Sequence, residues 1–477
     1  MTRKTTFILL LLLLIVGAGL RAYKLTYWSL WNDEGHTFDC VRIPLYSPES
    51  REPLAKHYPL NFLITQVFCH YLGMTELGGR LFPYLMGVLA IPLVFFFTRR
   101  IFDDRVALVT TAIIVFSPWH IEWSQNARHY TLLFVLMVCS AGWFHLGLER
   151  NRRQYLVLSI VAVGLSVLTH PSGGFVVPGY FLYAGSLFFV KSFERPAGFT
   201  RRNQIIFWGP FALGFLAISP KFVRLVDYLL TGKHPWNPVT NVMGGVAFYL
   251  GVPLLSFSLV ALIVLLHERD RRGLYIFCLC VAQAVSLIVV ATYTVASNVY
   301  NFFTLWLLSM VVSRLGLRVA HALPSPMRMA GYAIPCLIIL LNIQNTTFYF
   351  TTQHGNRFPY RPALEYVRSQ EDFSPNDILY ISSGSVGEFY FNYRQAPDTP
   401  YDIRWLDSKG FDREKFLKEG RSAWFVYSPS KYDPYPEIDA FLMGKCRFLK
   451  DFTVNTDIKV RTIRIYRYET RPPVSVS

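Results

Sequence analysis

The chain opens Arg3-Lys4-Thr5-Thr6-Phe7-Ile8-Leu9-Leu10-Leu11-Leu12-Leu13-Leu14-Ile15-Val16-Gly17-Ala18-Gly19-Leu20, two cations followed by an apolar run free of charge. A signal peptide and a first membrane span share this layout, because both place positive charge ahead of an apolar core. The run is close to the upper limit for a signal core, and a dense polar and aromatic motif follows it, so it is read as an uncleaved span. Further apolar runs lie near 79 to 97, 106 to 119, 129 to 148, 155 to 169, 174 to 190, 205 to 219, 243 to 266, 273 to 292, 299 to 313 and 328 to 349. At about 1.5 Å rise per residue across a hydrocarbon core of about 30 Å, they make about eleven spans.

Composition points the same way. Of 477 residues, 52% are hydrophobic and only 16% charged, outside the range of ordinary soluble domains. A net charge of +16 suggests nucleic acid in a soluble protein, but here Lys and Arg gather in short loops between apolar runs, which points to no nucleic-acid partner. Threading the chain from a cytoplasmic N-terminus puts Arg99-Arg100-Arg105, Arg150-Arg152-Arg153, Arg195-Arg201-Arg202, Arg269-Arg271-Arg272 and Arg314-Arg318-Arg328 on one side, as the positive-inside rule requires. The fold class expected is an α-helical polytopic membrane protein with a small C-terminal α/β extramembrane domain. Its divisions are 1–350, with an external loop at 21–78, and 351–477 on the non-cytoplasmic side. In the tail, helices are expected over 362–370, 412–419 and 437–444, and strands over 377–382, 423–427 and 459–468. Cys40 and Cys69 are both external on this threading; pairing and buried thiols stay open for them.

Chemistry is sought on the external face. Asp33 and Glu34, adjacent acids just beyond the first span and beside Trp28 and Trp31, are either solvated surface groups or functional ones. Arg80, Arg128, Lys221 and Arg224 are external cations that run against the positive-inside trend; snorkelling anchors are the plain alternative. The segment Ser117-Pro118-Trp119-His120-Ile121-Glu122-Trp123-Ser124-Gln125-Asn126-Ala127-Arg128-His129-Tyr130 is too polar and aromatic for an ordinary loop, although an interfacial aromatic belt has similar composition. The external histidines show no close spacing typical of a metal site, and the metal is left unassigned.

Four blocks carry a resemblance: Ser29-Leu30-Trp31-Asn32-Asp33-Glu34, His57-Tyr58-Pro59-Leu60-Asn61-Phe62, Glu76-Leu77-Gly78-Gly79-Arg80-Leu81-Phe82-Pro83, and Ser117 through Tyr130. In order and spacing they resemble the polyprenol-phosphate-sugar-dependent membrane glycosyltransferases, the class of the dolichyl-phosphate-mannose protein mannosyltransferases and bacterial aminoarabinose transferases. The resemblance covers roughly the first 150 residues and implies the multi-spanning glycosyltransferase fold. It also implies a polyprenyl-phosphate sugar donor and a lipid, glycan or protein acceptor meeting at the outer membrane face, with inversion at the sugar carbon; the compactness of the chain points to a bacterial inner membrane. On that basis Asp33 and Glu34 are the expected catalytic pair. His57, Arg80, Glu122, Gln125, Arg128, His129, Tyr130, Lys221 and Arg224 are the expected substrate contacts. Asn126 stands where the resemblance leads one to expect an acid, which leaves a divalent cation open unless Glu122 substitutes; Ser297-Asn298-Val299-Tyr300-Asn301 stands where an Arg-Tyr pair is expected. A transporter or flippase of a lipid-linked saccharide is the alternative, and it requires functional charges within the spans.

Overall fold

The computed structural model describes residues 2–50, 53–213, 238–294, 296–394, 400–407, 410–429, 436–456 and 460–470. The first unit comprises α1 (Arg3–Ala22), α2 (Asn32–Arg42), α3 (Pro53–His57), α4 (Leu60–Leu72), α5 (Glu76–Ile101), α6 (Asp104–Phe116), α7 (Pro118–Ser124), α8 (Tyr130–Glu149), α9 (Arg153–Thr169) and α10 (Val176–Phe189). It continues with α11 (Val239–Leu250), α12 (Val252–His267), α13 (Arg271–Tyr293), α14 (Thr304–Ala322) and α15 (Arg328–Thr351).

Among the described residues, seven helical segments are long and apolar enough to cross a membrane, or nine if each of two bent pairs counts as one. The bends have local causes. α6 and α7 meet at 62° where Pro118 opens the second helix, and α11 and α12 meet at 90° around Gly251, whose φ of +77° a side chain would strain. Against the roughly eleven spans expected from run length, the 155 to 169 run is the shorter helix α9, and the 205 to 219 run extends beyond the described residues. The apolar stretch 59 to 72 is the 13-residue helix α4, packed on α2 and α5.

Leu259, Ile263 and Leu340 are 62%, 59% and 63% exposed, the outward apolar surface that lipid tails solvate and water does not. At one end of the bundle, ion pairs join the Arg-rich helix ends: Arg271 to Glu149 at 2.7 Å, Arg314 to Asp103 at 3.8 Å, and Arg318 to Glu268.

The C-terminal unit holds α16 (Tyr360–Arg368), β1 (Ile378–Ile381), α17 (Gly384–Glu388), β2 (Asp402–Trp405), α18 (Arg413–Glu419), β3 (Ala423–Tyr427), α19 (Pro436–Lys445), β4 (Arg447–Asn455) and β5 (Val460–Tyr468). Its sheet has the order β2-β1-β3-β5-β4, parallel between β1 and its two neighbours and antiparallel where β5 pairs with β3 and β4. Successive side chains on a strand point to opposite faces, so each inner strand serves two cores. Ile378, Tyr380, Ala423 and Phe425 meet Phe416 of α18 and Phe441 of α19. On the other face, Leu379, Ile381, Trp424 and Val426 join one cluster with Leu30, Phe38 and Val41 from around α2. Cys40 and Cys69 are buried thiols in separate clusters and form no disulfide.

Candidate active site

Neighbouring residues on a helix point about 100° apart, so Asp33 and Glu34, in the first turn of α2, part company. The Asp33 side chain is 39% exposed, whereas that of Glu34 is fully buried. Negative charge suits a helix N-terminus, which helps to explain why two acids sit together here.

Glu34 is held on every side. Its Oε1 accepts from Arg80 Nε at 2.7 Å and from the Ala127 backbone N–H at 2.8 Å; its Oε2 accepts from Arg80 Nη2 at 2.8 Å and Arg357 Nε at 3.3 Å. Burial alone raises its pKa, but the Arg80 and Arg357 guanidinium groups outweigh burial and hold the carboxyl below the usual range. Arg80 spends its remaining donors on the carbonyls of Leu25, Trp28 and Ser29, each at 3.0 Å. All five N–H bonds of that guanidinium are engaged. The expectations of a catalytic Glu34 and a substrate-contacting Arg80 are therefore revised: the two form a closed pair beneath the site.

Gln125 is revised for the same reason. Its Oε1 accepts from Trp28 Nε1 and Tyr349 Oη, and its Nε2 donates to the Arg21 and Tyr23 carbonyls. Glu122 accepts from Asn356 Nδ2 at 3.1 Å and neighbours Arg357. His57 is exposed at the end of α3, its ring 6.5 Å from that of Tyr58, and no contact among the described residues joins it to Asp33. Lys221 and Arg224 lie outside the described residues. Asn126, in the place of an expected acid, accepts the Trp31 indole N–H at 2.8 Å. Among the described residues no three His, Cys, Asp or Glu side chains converge as metal ligands would.

Arg128 is built differently from Arg80. Its Nη1 donates to the Asp33 carbonyl at 3.2 Å and to Thr37 Oγ1 at 3.4 Å, its Nη2 stands 3.8 Å from Asp33 Oδ2, and its Nε has no partner. Burial works against its charge, yet Asp33, Tyr130 and Tyr300 keep its pKa above the ordinary value. This cation is fixed beside a half-exposed carboxylate, with its Nε sealed from solvent.

Aromatic side chains wall the pair. His129 stacks on His170 with centroids 4.7 Å apart, Tyr130 lies 4.2 Å from His129, and Tyr300 lies 4.6 Å from His170. His170 Nδ1 accepts the Ser172 backbone N–H at 3.2 Å, which assigns the ring proton to Nε2. Burial, with Arg128 nearby, pushes His170 down to about 3; burial, His170 and Arg128 push His129 well below its ordinary value. Both rings are neutral at physiological pH. Sequence reading brought Asp33, Arg128, His129 and Tyr130 forward together. It gave His170 and Tyr300 no role and passed over Arg357, whose one signal was to be the first cation after the last span.

Residues 56–223 match the family described as dolichyl-phosphate-mannose-protein mannosyltransferase. Three of the four sequence blocks fall inside that match, and the resemblance they carry is borne out. An uncharacterized protein of Aquifex aeolicus (strain VF5) is 28% identical over 198 residues, a stretch that spans 39% of this chain and 38% of that relative. Among solved structures, ArnT from Cupriavidus metallidurans in the apo state aligns over 97% of this chain and 98% of its own, with a TM-score of 0.58 and 14% identity. The same protein bound to undecaprenyl phosphate aligns over 95% and 97%, with a TM-score of 0.57 and 14% identity. The Archaeoglobus fulgidus oligosaccharyltransferase in the apo form aligns over 81% of this chain and 63% of its own, with a TM-score of 0.58 and 13% identity. The chain has the fold of ArnT along nearly its whole length.

Proposed function

We propose that this chain transfers a sugar from a polyprenyl-phosphate donor to an acceptor hydroxyl, with inversion, at the non-cytoplasmic face of a bacterial inner membrane. The observation that carries the reading is the Asp33–Arg128 pair: a half-exposed carboxylate 3.8 Å from a largely buried guanidinium. Binding of undecaprenyl phosphate by a protein of the same fold supports the donor class, and the Arg-rich helix ends support the orientation.

The chemistry follows from charge. Asp33 takes the proton of the acceptor hydroxyl as its oxygen bonds to the anomeric carbon. The bond from that carbon to the phosphate oxygen breaks on the opposite face, and its electron pair leaves with the polyprenyl phosphate. Arg128, fixed beside Asp33, offsets the negative charge that grows there. Arg80, with every donor taken, holds Glu34 in place of substrate, and the Glu34 carboxylate fixes α2 against Ala127 at 2.8 Å. Transport of a lipid-linked saccharide needs charge along a passage through the spans; the polar site lies instead between α2 and the start of α8.

The test is transfer of radiolabelled sugar from a panel of polyprenyl-phosphate donors to membrane extract by the purified chain, wild type beside Asp33→Asn. Transfer that the substitution removes supports the reading. A folded Asp33→Asn protein with full activity sinks the assignment of the base, and a folded wild type inert with every donor sinks the transferase.

A further inference from the structure

A cavity of about 400 Å³ lies between α2 and the C-terminal unit, separate from the Asp33–Arg128 pair. It is part of no sequence block. Asp39 lines one wall, six residues after Asp33 and therefore about 9 Å further along the α2 axis. The C-terminal unit supplies the facing wall through α17 and the end of β2.

Three carboxylates, Asp39, Glu49 and Glu388, line the cavity against a single cation, Arg42. That cation is drawn aside, its guanidinium 4.9 Å from the centre of the Tyr393 ring, while Tyr393 Oη donates to Asp39 at 2.8 Å. Glu388 accepts from Asn392 Nδ2 at 2.7 Å, which leaves its other oxygen for a ligand. Burial, with Asp39 nearby, raises the Glu388 carboxyl, against the opposing pull of Asn392 and Arg42. Ser385, 5% exposed, also lines this space.

Trp405 completes the wall. It is 41% exposed although its indole lies so close over Gly384 that a Cβ there would sit 2.5 Å away. An open indole face beside carboxylate acceptors and a hydroxyl suits a sugar ring, whose C–H face packs on the aromatic and whose hydroxyls donate. The excess of negative charge repels a phosphate or carboxylate on the ligand and favours an amine.

We propose that this cavity is the acceptor subsite and holds a saccharide that is neutral or amine-bearing, with Trp405 under one ring and Glu388 and Asp39 accepting its hydrogens. The proposal rests on the transferase reading above, and it makes the C-terminal unit a reader of the acceptor. The reacting hydroxyl then belongs to a further unit of the same acceptor, about 9 Å back along α2 and about 120° around it, at Asp33.

The full chain in detergent is titrated with cello-oligosaccharides, chitosan oligosaccharides and phosphorylated cello-oligosaccharides. The expected result is binding of the first two at least tenfold tighter than of the phosphorylated set. Trp405→Ala and Glu388→Gln each weaken it about tenfold, and Trp405→Phe restores most of the loss. Asp33→Asn, outside the cavity, binds the oligosaccharides while failing to transfer. Equal or tighter binding of the phosphorylated set, binding unmoved in both cavity variants, or no binding to any of the three overturns the proposal, even where transfer activity is present. A wild type that binds them but transfers nothing leaves a saccharide site and removes the transferase reading instead.

Discussion

Arg80 and Arg128 are alike in a sequence, each a cation beside the first residues of a helix, and opposite in use. Arg80 is saturated by Glu34 and three carbonyls, whereas Arg128 keeps an unpaired Nε. Substituting them separates stability from activity. Arg80→Ala leaves Glu34 buried beside Arg357 alone, and breaking a buried pair in this way costs about 3–5 kcal/mol; a large fall in the thermal midpoint in detergent checks it. Arg128→Gln lowers transfer by about 10²–10³-fold with little change in midpoint, and Asp33→Asn by about 10²–10⁴-fold. The histidines give a pH signature. The folded pKa of His170 is depressed to about 3, so between its ordinary value near 6.5 and about 3 the unfolded chain binds the extra proton. Stability is full above that window and falls with pH through it, by up to about 1.4 kcal/mol per pH unit for each such group. His129→Phe with His170→Phe flattens the midpoint-versus-pH curve there; an unchanged slope refutes the assignment. The residue types at the site were legible because Arg128, His129 and Tyr130 are contiguous. Which cation is spent and which is spare was not, because that depends on how α2 is rolled against α5 and on Arg357, 323 residues from the carboxylate it holds.

At the scale of elements, α2 carries the site between two partners, and its fit to the second is tight. A Cβ at Gly35 would lie 2.9 Å from the backbone of Ser385 and Val386, where no flexible side chain is available to yield. Gly35→Ala forces α2 and α17 apart, at about 1–3 kcal/mol for overpacking of this kind, and is expected to speed limited proteolysis of the C-terminal unit and to lower transfer. Proteolysis at the wild-type rate contradicts that account. Most helices were legible from apolar runs, since a span must be long and uncharged. In the tail, β1, β3 and β5 were legible because inner strands are rich in large apolar residues. β2 and β4 were not. β2 is a four-residue edge strand, Asp402-Ile403-Arg404-Trp405, and β4 is interrupted between Phe448 and Lys450 by a shift of register that breaks its alternation.

At the scale of the whole molecule, the two units share a core rather than a linker. Leu30, Phe38 and Val41 pack in one cluster with Leu379, Trp424 and Ile465, and Glu76 pairs with both Arg361 and Arg394. Ending the chain before Tyr360 strips that cluster of its partners, so the truncated protein is expected to aggregate or to lose transfer entirely; a monodisperse, active truncation rules this out. Arg357, just past the last span, has a further consequence for timing. A ribosome adding about 5–20 residues per second needs some tens of seconds to travel from Glu34 to Arg357. Through that interval α2 lacks one of the two cations that lock it. The setting of α2 is therefore held by Arg80 alone while the intervening helices enter the bilayer, and it is completed only when the segment after the last span folds back onto it.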